Sequence, residues 1–256
     1  RNLFSWWKTG EDKPRFSDQT NQAELKQHLQ WHESKVYERK RKSVLWSVVL
    51  GYGIFYIGRL TLSVAKAPMV DSGILDTTQL GIIGSLLFYT YAFGKLTNGF
   101  LSDRANIAKF MSTGLGVSAV MNLFFGFTSV FWIFGILWAI NGWFQSMGSA
   151  PAVVSVTQWF SSKERGTYYG IWAASHNIGE GLTFIGTASI VALFGWQAGF
   201  IVPGVICFIV AIILFFSLKD RPETYGLPNV LEYKGEVSTK KKTKKSIKDF
   251  QLDVLK

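Results

Sequence analysis

The sequence predicts an all-α, polytopic membrane protein with six membrane-crossing helices, and three observations carry that reading. Hydrophobic residues make up 48% of the 256 and charged residues only 17%, where soluble chains carry about a quarter. The charge is also segregated: residues 43–218 hold only 12 Asp, Glu, Lys or Arg. That stretch divides at Gly, Pro and charge breaks into runs of roughly the 20 residues needed to cross a bilayer. Lys and Arg, finally, fall in alternate connections, as an even number of crossings requires. The mean hydropathy of +0.18 understates this pattern, because it averages the apolar middle with polar tails at 1–42 and 219–256.

The tail at 1–42 is too long and polar for a signal peptide and lacks a small-residue cleavage site behind a short apolar run. Leu25, Leu29 and Trp31 among its charges fit an amphipathic surface helix, and Phe4, Trp6 and Trp7 suit a membrane interface. Spans are predicted at 43–66, 79–101, 110–128, 131–156, 166–193 and 197–218, with the break at Thr128 and Ser129 the least marked. Residues 219–256 read as a linker containing the run Lys240, Lys241, Lys242, Lys244 and Lys245.

Orientation follows from the 27 basic residues. Ten lie in the N-terminal tail, ten in the C-terminal segment, two at Arg104 and Lys109 and two at Lys163 and Arg165, while the connections at 67–78, near 129 and at 194–196 hold none. The excess of positive charge marks the cytoplasmic side, so tail and linker are expected there, in a bacterial inner (plasma) membrane. The lysine run reads as a solvated linker near the anionic inner leaflet, and no groove-reading module accompanies it, so nucleic acid is not an expected partner. The lone cysteine, Cys207, excludes a disulfide scaffold and reads as a packing residue. There is no H-E-x-x-H, no G-x-S-x-G and no carboxylate pair beside a nucleophile. No catalytic residue, metal or cofactor is expected, and the protein is read as no enzyme.

Three cations remain inside the spans: Arg59, Lys66 and Lys95. A charged side chain at the bilayer centre costs about 2.5–3.5 kcal/mol on the lenient insertion scale. Lys66, near Pro68 at the outer end of the first span, reads as snorkelling to the interface. Arg59 lies seven residues deeper, about 10 Å at 1.5 Å per residue, which suits a polar cavity instead. Tyr52, Tyr56 and Arg59 share one face of the first helix by their spacings of four and three; Phe88, Tyr91 and Lys95 share one of the second; Trp172, His176 and Glu180 share one of the fifth. A cavity walled by Arg59, Lys95 and His176 suits an anion, because guanidinium offers a planar fork and lysine a point charge. A phosphomonoester, carrying about 1.5–2 negative charges at neutral pH, matches it, and His176 titrates in the same range. Glu180 would repel phosphate unless paired with His176 or with Lys95. At the turn after the second span, Gly99 would allow close helix approach and Asp103 could accept hydrogen bonds at a helix start.

That turn, Gly99-Phe100-Leu101-Ser102-Asp103-Arg104, resembles the signature loop of the major facilitator superfamily, with the basic pair that follows weakened to Asn106 and Lys109. The stretches GYGIFYIGRL at 51–60, FGKLTNGFLSDRAN at 93–106, NGWFQSMGSAP at 141–151, ERGTYYGIWAASHNIG at 164–179 and KDRPETYGLP at 219–228 resemble, in order, the organophosphate:phosphate antiporters and their sugar-phosphate sensors. The resemblance implies one six-helix half of a twelve-helix carrier, built of inverted three-helix repeats with the substrate site between halves. Arg59 would be one of two arginines gripping the phosphate, with Tyr52 and Tyr56 beside it, Lys95 and His176 near the central cavity, and Gly99, Asp103 and Arg104 in the conformational loop; Trp172, on the stripe of His176, is read as a further substrate-binding residue from its spacing. Leu60, where relatives often carry Lys, and Glu180, where they carry a small residue, both lower the positive charge and imply altered preference or coupling. The chain begins at Arg1 and ends in what resembles the central loop, so a missing C-terminal six-helix half bearing the second arginine is expected. The implied activity is exchange of a sugar phosphate, such as the hexose phosphate glucose-6-phosphate, for inorganic phosphate by alternating access. A non-transporting sensor of external sugar phosphate is the alternative.

Overall fold

The structure, a computed structural model, describes residues 19–234, with side chains from residue 34 onward. The lysine run at 240–245 and Phe4, Trp6 and Trp7 lie outside the described residues, as do the side chains of Leu25, Leu29 and Trp31. The chain divides into two units, 1–40 and 41–256, and the second carries the apolar spans.

The described residues are helical and irregular, without a strand: α1 (Gln19–Asp71), α2 (Thr77–Ser102), α3 (Ile107–Gly126), α4 (Phe131–Gln145), α5 (Ser149–Trp159), α6 (Arg165–Phe194), α7 (Ala198–Ser217), a short 3-10 turn (Pro222–Tyr225) and α8 (Val230–Tyr233). Helices suit the bilayer because each satisfies its own backbone hydrogen bonds. Five of them, α1, α2, α3, α6 and α7, are long and apolar enough to cross a membrane.

The fourth predicted span, read as one helix over 131–156, is instead two, α4 of 15 residues and α5 of 11. Pro151 has no N–H to offer the carbonyl four residues back and its ring crowds that carbonyl. The chain passes 146–148 through tight turns in which Ser146 N donates to Trp143 O, Met147 N to Phe144 O and Gly148 N to Gln145 O. Asn98 of α2 covers the break, its Nδ2 donating to Ser146 Oγ at 2.7 Å and to Trp143 O at 3.3 Å. Carbonyls loosened at a broken membrane helix need such a neighbour.

Helix ends follow local chemistry. α1 runs past Pro68 and stops where Gly73, at φ +69°, takes the left-handed conformation. Gly73 N then donates to Val70 O and Ile74 N to Met69 O, the paired bonds of a glycine-terminated helix. α2 begins with a reciprocal cap between Asp76 and Gln79. α3 is capped by Asn106, whose side chain accepts from Lys109 N, and Asp220 adds a second acceptor for Ile107 N at 3.1 Å. The capping role expected of Asp103 is thus held by Asn106 and Asp220, because the turn places Asp103 at the end of α2.

α1 is surrounded by other spans. Gly51 faces Leu214 of α7, Gly58 faces α3 and α4, and Gly53 faces α6; Cys207 of α7, buried as expected, directs Sγ at Ile54 O over 3.7 Å. At the end holding the α1–α2 turn, Phe125, Phe134, Trp138 and Phe200 interlock, with ring centroids of Phe125 4.3 Å from both Phe134 and Phe200. Lipid is as apolar as these rings, so fit rather than water exclusion holds them together.

The opposite, basic end is tied by polar contacts. Arg41 Nη2 donates to Glu164 Oε2 at 2.6 Å and Lys234 Nζ meets Glu164 Oε1 at 3.2 Å. Arg221 donates to Asp103 O at 2.6 Å and Ala105 O at 3.3 Å, and Trp159 Nε1 to Asp220 O at 2.8 Å. These bonds fasten the segment after α7 beneath the α2–α3 turn. Partial burial works to raise the pKa of Glu164, but hydrogen bonds and charge from Arg41 and Lys234 outweigh it and hold the carboxyl below its ordinary value.

Candidate anion-binding site on α1, α2 and α6

The site begins where α1 and α6 touch. A side chain at Gly179 would collide with the carbonyl of Gly53, and one at Gly53 would press on Ser175 O at 3.3 Å. Only two glycines allow so close an approach. The contact brings one face of α1, with Tyr52 and Tyr56, against Trp172 and His176 on α6. Tyr52 lies 4.9 Å from Trp172 between ring centroids, and Tyr56 stacks on His176 at 5.5 Å. Tyr52 and Trp172 are buried, at 5% and 7% exposure, whereas Tyr56 and His176 are half-buried.

Arg59 lies one turn further along the same face. Its guanidinium carbon is 4.7 Å from the ring centre of Tyr56 and 4.3 Å from that of Tyr91 on α2. Two aromatic faces are a favourable bed for a cation. Lys95, exposed on α2, sets its ammonium 5.0 Å from the other partner of this bed, the ring of Tyr91. Five of the predicted residues, Tyr52, Tyr56, Arg59, Trp172 and His176, with Lys95 through Tyr91, therefore form one cluster from three helices.

The electrostatics of the cluster are lopsided. Among the described residues, Arg59 Nε and Nη2 are buried without a hydrogen-bond acceptor, and so is Trp172 Nε1. No carboxylate lies within ion-pair distance of Arg59, Lys95 or His176 among the described residues. Among the described residues Glu180 forms an ion pair with neither His176 nor Lys95, and it stands half-buried one turn beyond His176. Tyrosine faces stabilise the cation's charge but offer these N–H groups no oxygen acceptor, so the two donors are open to an anion's oxygens. Among the described residues no three His, Cys, Asp or Glu side chains converge as metal ligands would.

The other expectations divide. Lys66 is half-buried, its ammonium 3.6 Å from the position a side chain at Gly84 of α2 would take. Gly99 has open space around it, and the close approach expected there occurs one turn earlier, at Gly94, where a side chain would meet Ser146 and Trp143 O. The backbone of Asp103 is held by Arg221. Phe88, on the α2 stripe, is 66% exposed and has no ring partner in the cluster.

Two features escaped the sequence reading of the site. Tyr91 was legible as part of a stripe but not as the plate between Arg59 and Lys95. The second is a buried polar node on the opposite face of α1. Asn122 and Asn141 both donate to Gly58 O, at 3.0 and 3.2 Å; Thr61 Oγ1 donates to Asn122 Oδ1 at 3.0 Å; Gln145 Nε2 donates to Ser118 Oγ at 2.6 Å. The paired spacing of Ser118 with Asn122 and of Asn141 with Gln145, four residues each in apolar runs, is the signal that could have revealed it. The node clamps the α1 turn that carries Arg59.

Comparison with known proteins gives the family and the fold. The family profile described as Major Facilitator Superfamily matches residues 48–250. The chain is 39% identical over 202 residues to a "Probable hexose phosphate transport protein" of Chlamydia muridarum, covering 79% of this chain and 44% of that protein. It is 35% identical to the "Membrane sensor protein UhpC" of Escherichia coli, covering 77% and 45%, and 35% identical to the "Glycerol-3-phosphate transporter" of Bacillus subtilis, covering 78% and 46%. The chain thus spans about half the length of these curated relatives. Among solved structures, a bacterial homologue of the human lysosomal transporter Spinster, inward-facing and unoccupied, superposes with a TM-score of 0.63 at 20% identity, covering 72% of this chain and 44% of that one. At that identity the likeness concerns the fold.

Proposed function

Since the chain belongs to the Major Facilitator Superfamily and the half-buried Arg59 keeps two buried donors unmet, we propose that it forms the N-terminal half of a carrier exchanging a sugar phosphate for inorganic phosphate. The observation that carries this reading is the pair Nε and Nη2 of Arg59, buried and without an acceptor. An unmet buried donor costs about 1–3 kcal/mol, and more when charged. A phosphoryl group removes that cost, because two of its oxygens match the guanidinium fork.

The roles follow from position. Tyr56 and Tyr91 hold the guanidinium plane, and Lys95 adds a second charge at the exposed side of Tyr91. Trp172 Nε1 is a further donor for a phosphoryl or hydroxyl oxygen. His176, stacked on Tyr56, presents its ring nitrogens as hydrogen-bonding groups to a phosphoryl oxygen. A C-terminal half of six helices supplies the facing wall, and rocking of the two halves exposes the site to each side in turn. Gly99, Asp103 and Arg104 lie in the turn that shifts during that motion. Tail and linker face the cytoplasm of a bacterial inner membrane, as the basic residues at that end require. The hexose-phosphate proteins among the relatives support a hexose phosphate as the sugar ester.

The test is uptake of labelled phosphate into vesicles containing the full-length protein and preloaded with unlabelled phosphate. Exchange that is abolished by glucose-6-phosphate competition and by Arg59→Ala supports the proposal. Saturable binding of glucose-6-phosphate with no flux would shift the assignment to a sensor, the role named for one relative.

A further inference from the structure

Outside the anion site, the outward face of α3 and α7 carries a groove of about 300 Å³. Ser112, Gly116 and Ala211 are the small residues of its lining, and Phe208, Phe215 and Phe216 the large ones. Phe215 and Phe216 are 47% and 69% exposed, so the groove opens away from the bundle. A Cβ built at Gly116 would meet Ala211 Cβ in ordinary contact at 3.7 Å, so the floor of the groove is formed by these two small residues without a clash.

The mouth of the groove is charged. Lys219 follows α7, and its ammonium is fixed to Phe216 O at 2.6 Å, on a residue that lines the groove. One of its three hydrogens is used there, which leaves two for another acceptor. Lys109 is exposed on α3, three and four residues before Ser112 and Thr113, and therefore on their face. Both lysines belong to the basic end of the spans, at the level of lipid headgroups. An apolar groove with one lysine bonded to a lining residue and a second one turn away on α3 is complementary to a lipid that joins an apolar chain to an anionic headgroup.

We propose that this groove binds an anionic phospholipid, an acyl chain lying between Gly116 and the α7 phenylalanines and the headgroup phosphate held by Lys109 and Lys219. The site is separate from Arg59, and its existence does not depend on what the carrier transports. Small residues at Ser112, Gly116 and Ala211 make room for the chain, and the hydroxyl of Thr113 adds a donor near the glycerol level.

The experiment is native mass spectrometry of the full-length protein with equimolar phosphatidylglycerol and phosphatidylethanolamine. We expect one phosphatidylglycerol retained in preference to phosphatidylethanolamine by roughly tenfold, from two lysines at an anionic headgroup. The double variant Lys109→Gln, Lys219→Gln should bring the preference close to one. The double variant Lys109→Arg, Lys219→Arg should keep it. Gly116→Leu, which fills the channel, should lower retention of both lipids. Glucose-6-phosphate binding by the same variants checks that the fold is intact and should be unchanged. Equal retention of the two lipids by the unaltered protein, or an undiminished preference in the glutamine variant, would overturn the proposal.

Discussion

Replacing Arg59 by Lys separates the geometry of the site from its charge. The cation is kept, but the planar fork is lost, and with it the two donors, Nε and Nη2, that stand unmet in the bed between Tyr56 and Tyr91. An ammonium on a shorter stem can offer one hydrogen toward the same phosphoryl group, so about one charge-assisted bond is lost. Such bonds contribute about 1.5–3 kcal/mol, and each 1.4 kcal/mol is tenfold in affinity. Affinity for glucose-6-phosphate should therefore fall by roughly 10- to 150-fold. The ring contacts add little to the difference, since lysine also rests on aromatic faces. Equilibrium binding by calorimetry on the purified full-length protein reads this directly, with thermal unfolding as a check on the fold. A lysine variant that binds within threefold of the unaltered protein would refute the assignment of the fork to the phosphoryl group.

Other consequences can be checked in the same preparation. Gly179→Ala should push α6 off the carbonyl of Gly53 and separate Tyr52 from Trp172; a displacement of about 1 Å costs on the order of 100-fold in a positioned site, read as substrate exchange in vesicles. Asn122→Leu should leave the Thr61 hydroxyl without its acceptor and Gly58 O with one of its two donors lost, lowering stability by about 1–2 kcal/mol in a denaturant titration. Tyr91→Phe should bind as the parent does while Tyr91→Ala weakens binding several-fold, because the ring and not the hydroxyl supports Arg59. Glu164→Gln should unfold at lower temperature than the parent at pH 7. Because the folded pKa of Glu164 lies below the ordinary 4.5, that stabilisation is fully present above the unfolded value and disappears as pH falls through the folded one, so the two proteins should converge in acid.

The fold was legible because membrane helices announce themselves by length and apolarity. The boundaries of α2, α3, α6 and α7 lie within a few residues of the predicted spans, and where the reading failed it failed for local reasons. Pro151 interrupts hydrogen bonding that hydropathy does not register, so one apolar run became α4 and α5. Gly99 and Asp103 were assigned from a motif, but the close packing went to Gly94 and the capping to Asn106 and Asp220, which depends on how the chain after α7 returns. The cluster around Arg59 was legible because ionisable residues in lipid are costly and helical spacing shows which aromatics share their face. The node at Gly58 was missed for the complementary reason. Its members are neutral amides and hydroxyls from three helices, and only tertiary contact reveals that they converge on one carbonyl.

Arginine modification tests the core of the account in a single experiment. Phenylglyoxal applied to membranes containing the full-length protein, followed by mass spectrometry of the peptide bearing residue 59, reports whether that guanidinium is reachable and what shields it. The expected result is an adduct at Arg59 that forms in chloride and is suppressed by either inorganic phosphate or glucose-6-phosphate. Labelling that proceeds equally with and without both anions would show that no phosphoryl group meets this arginine.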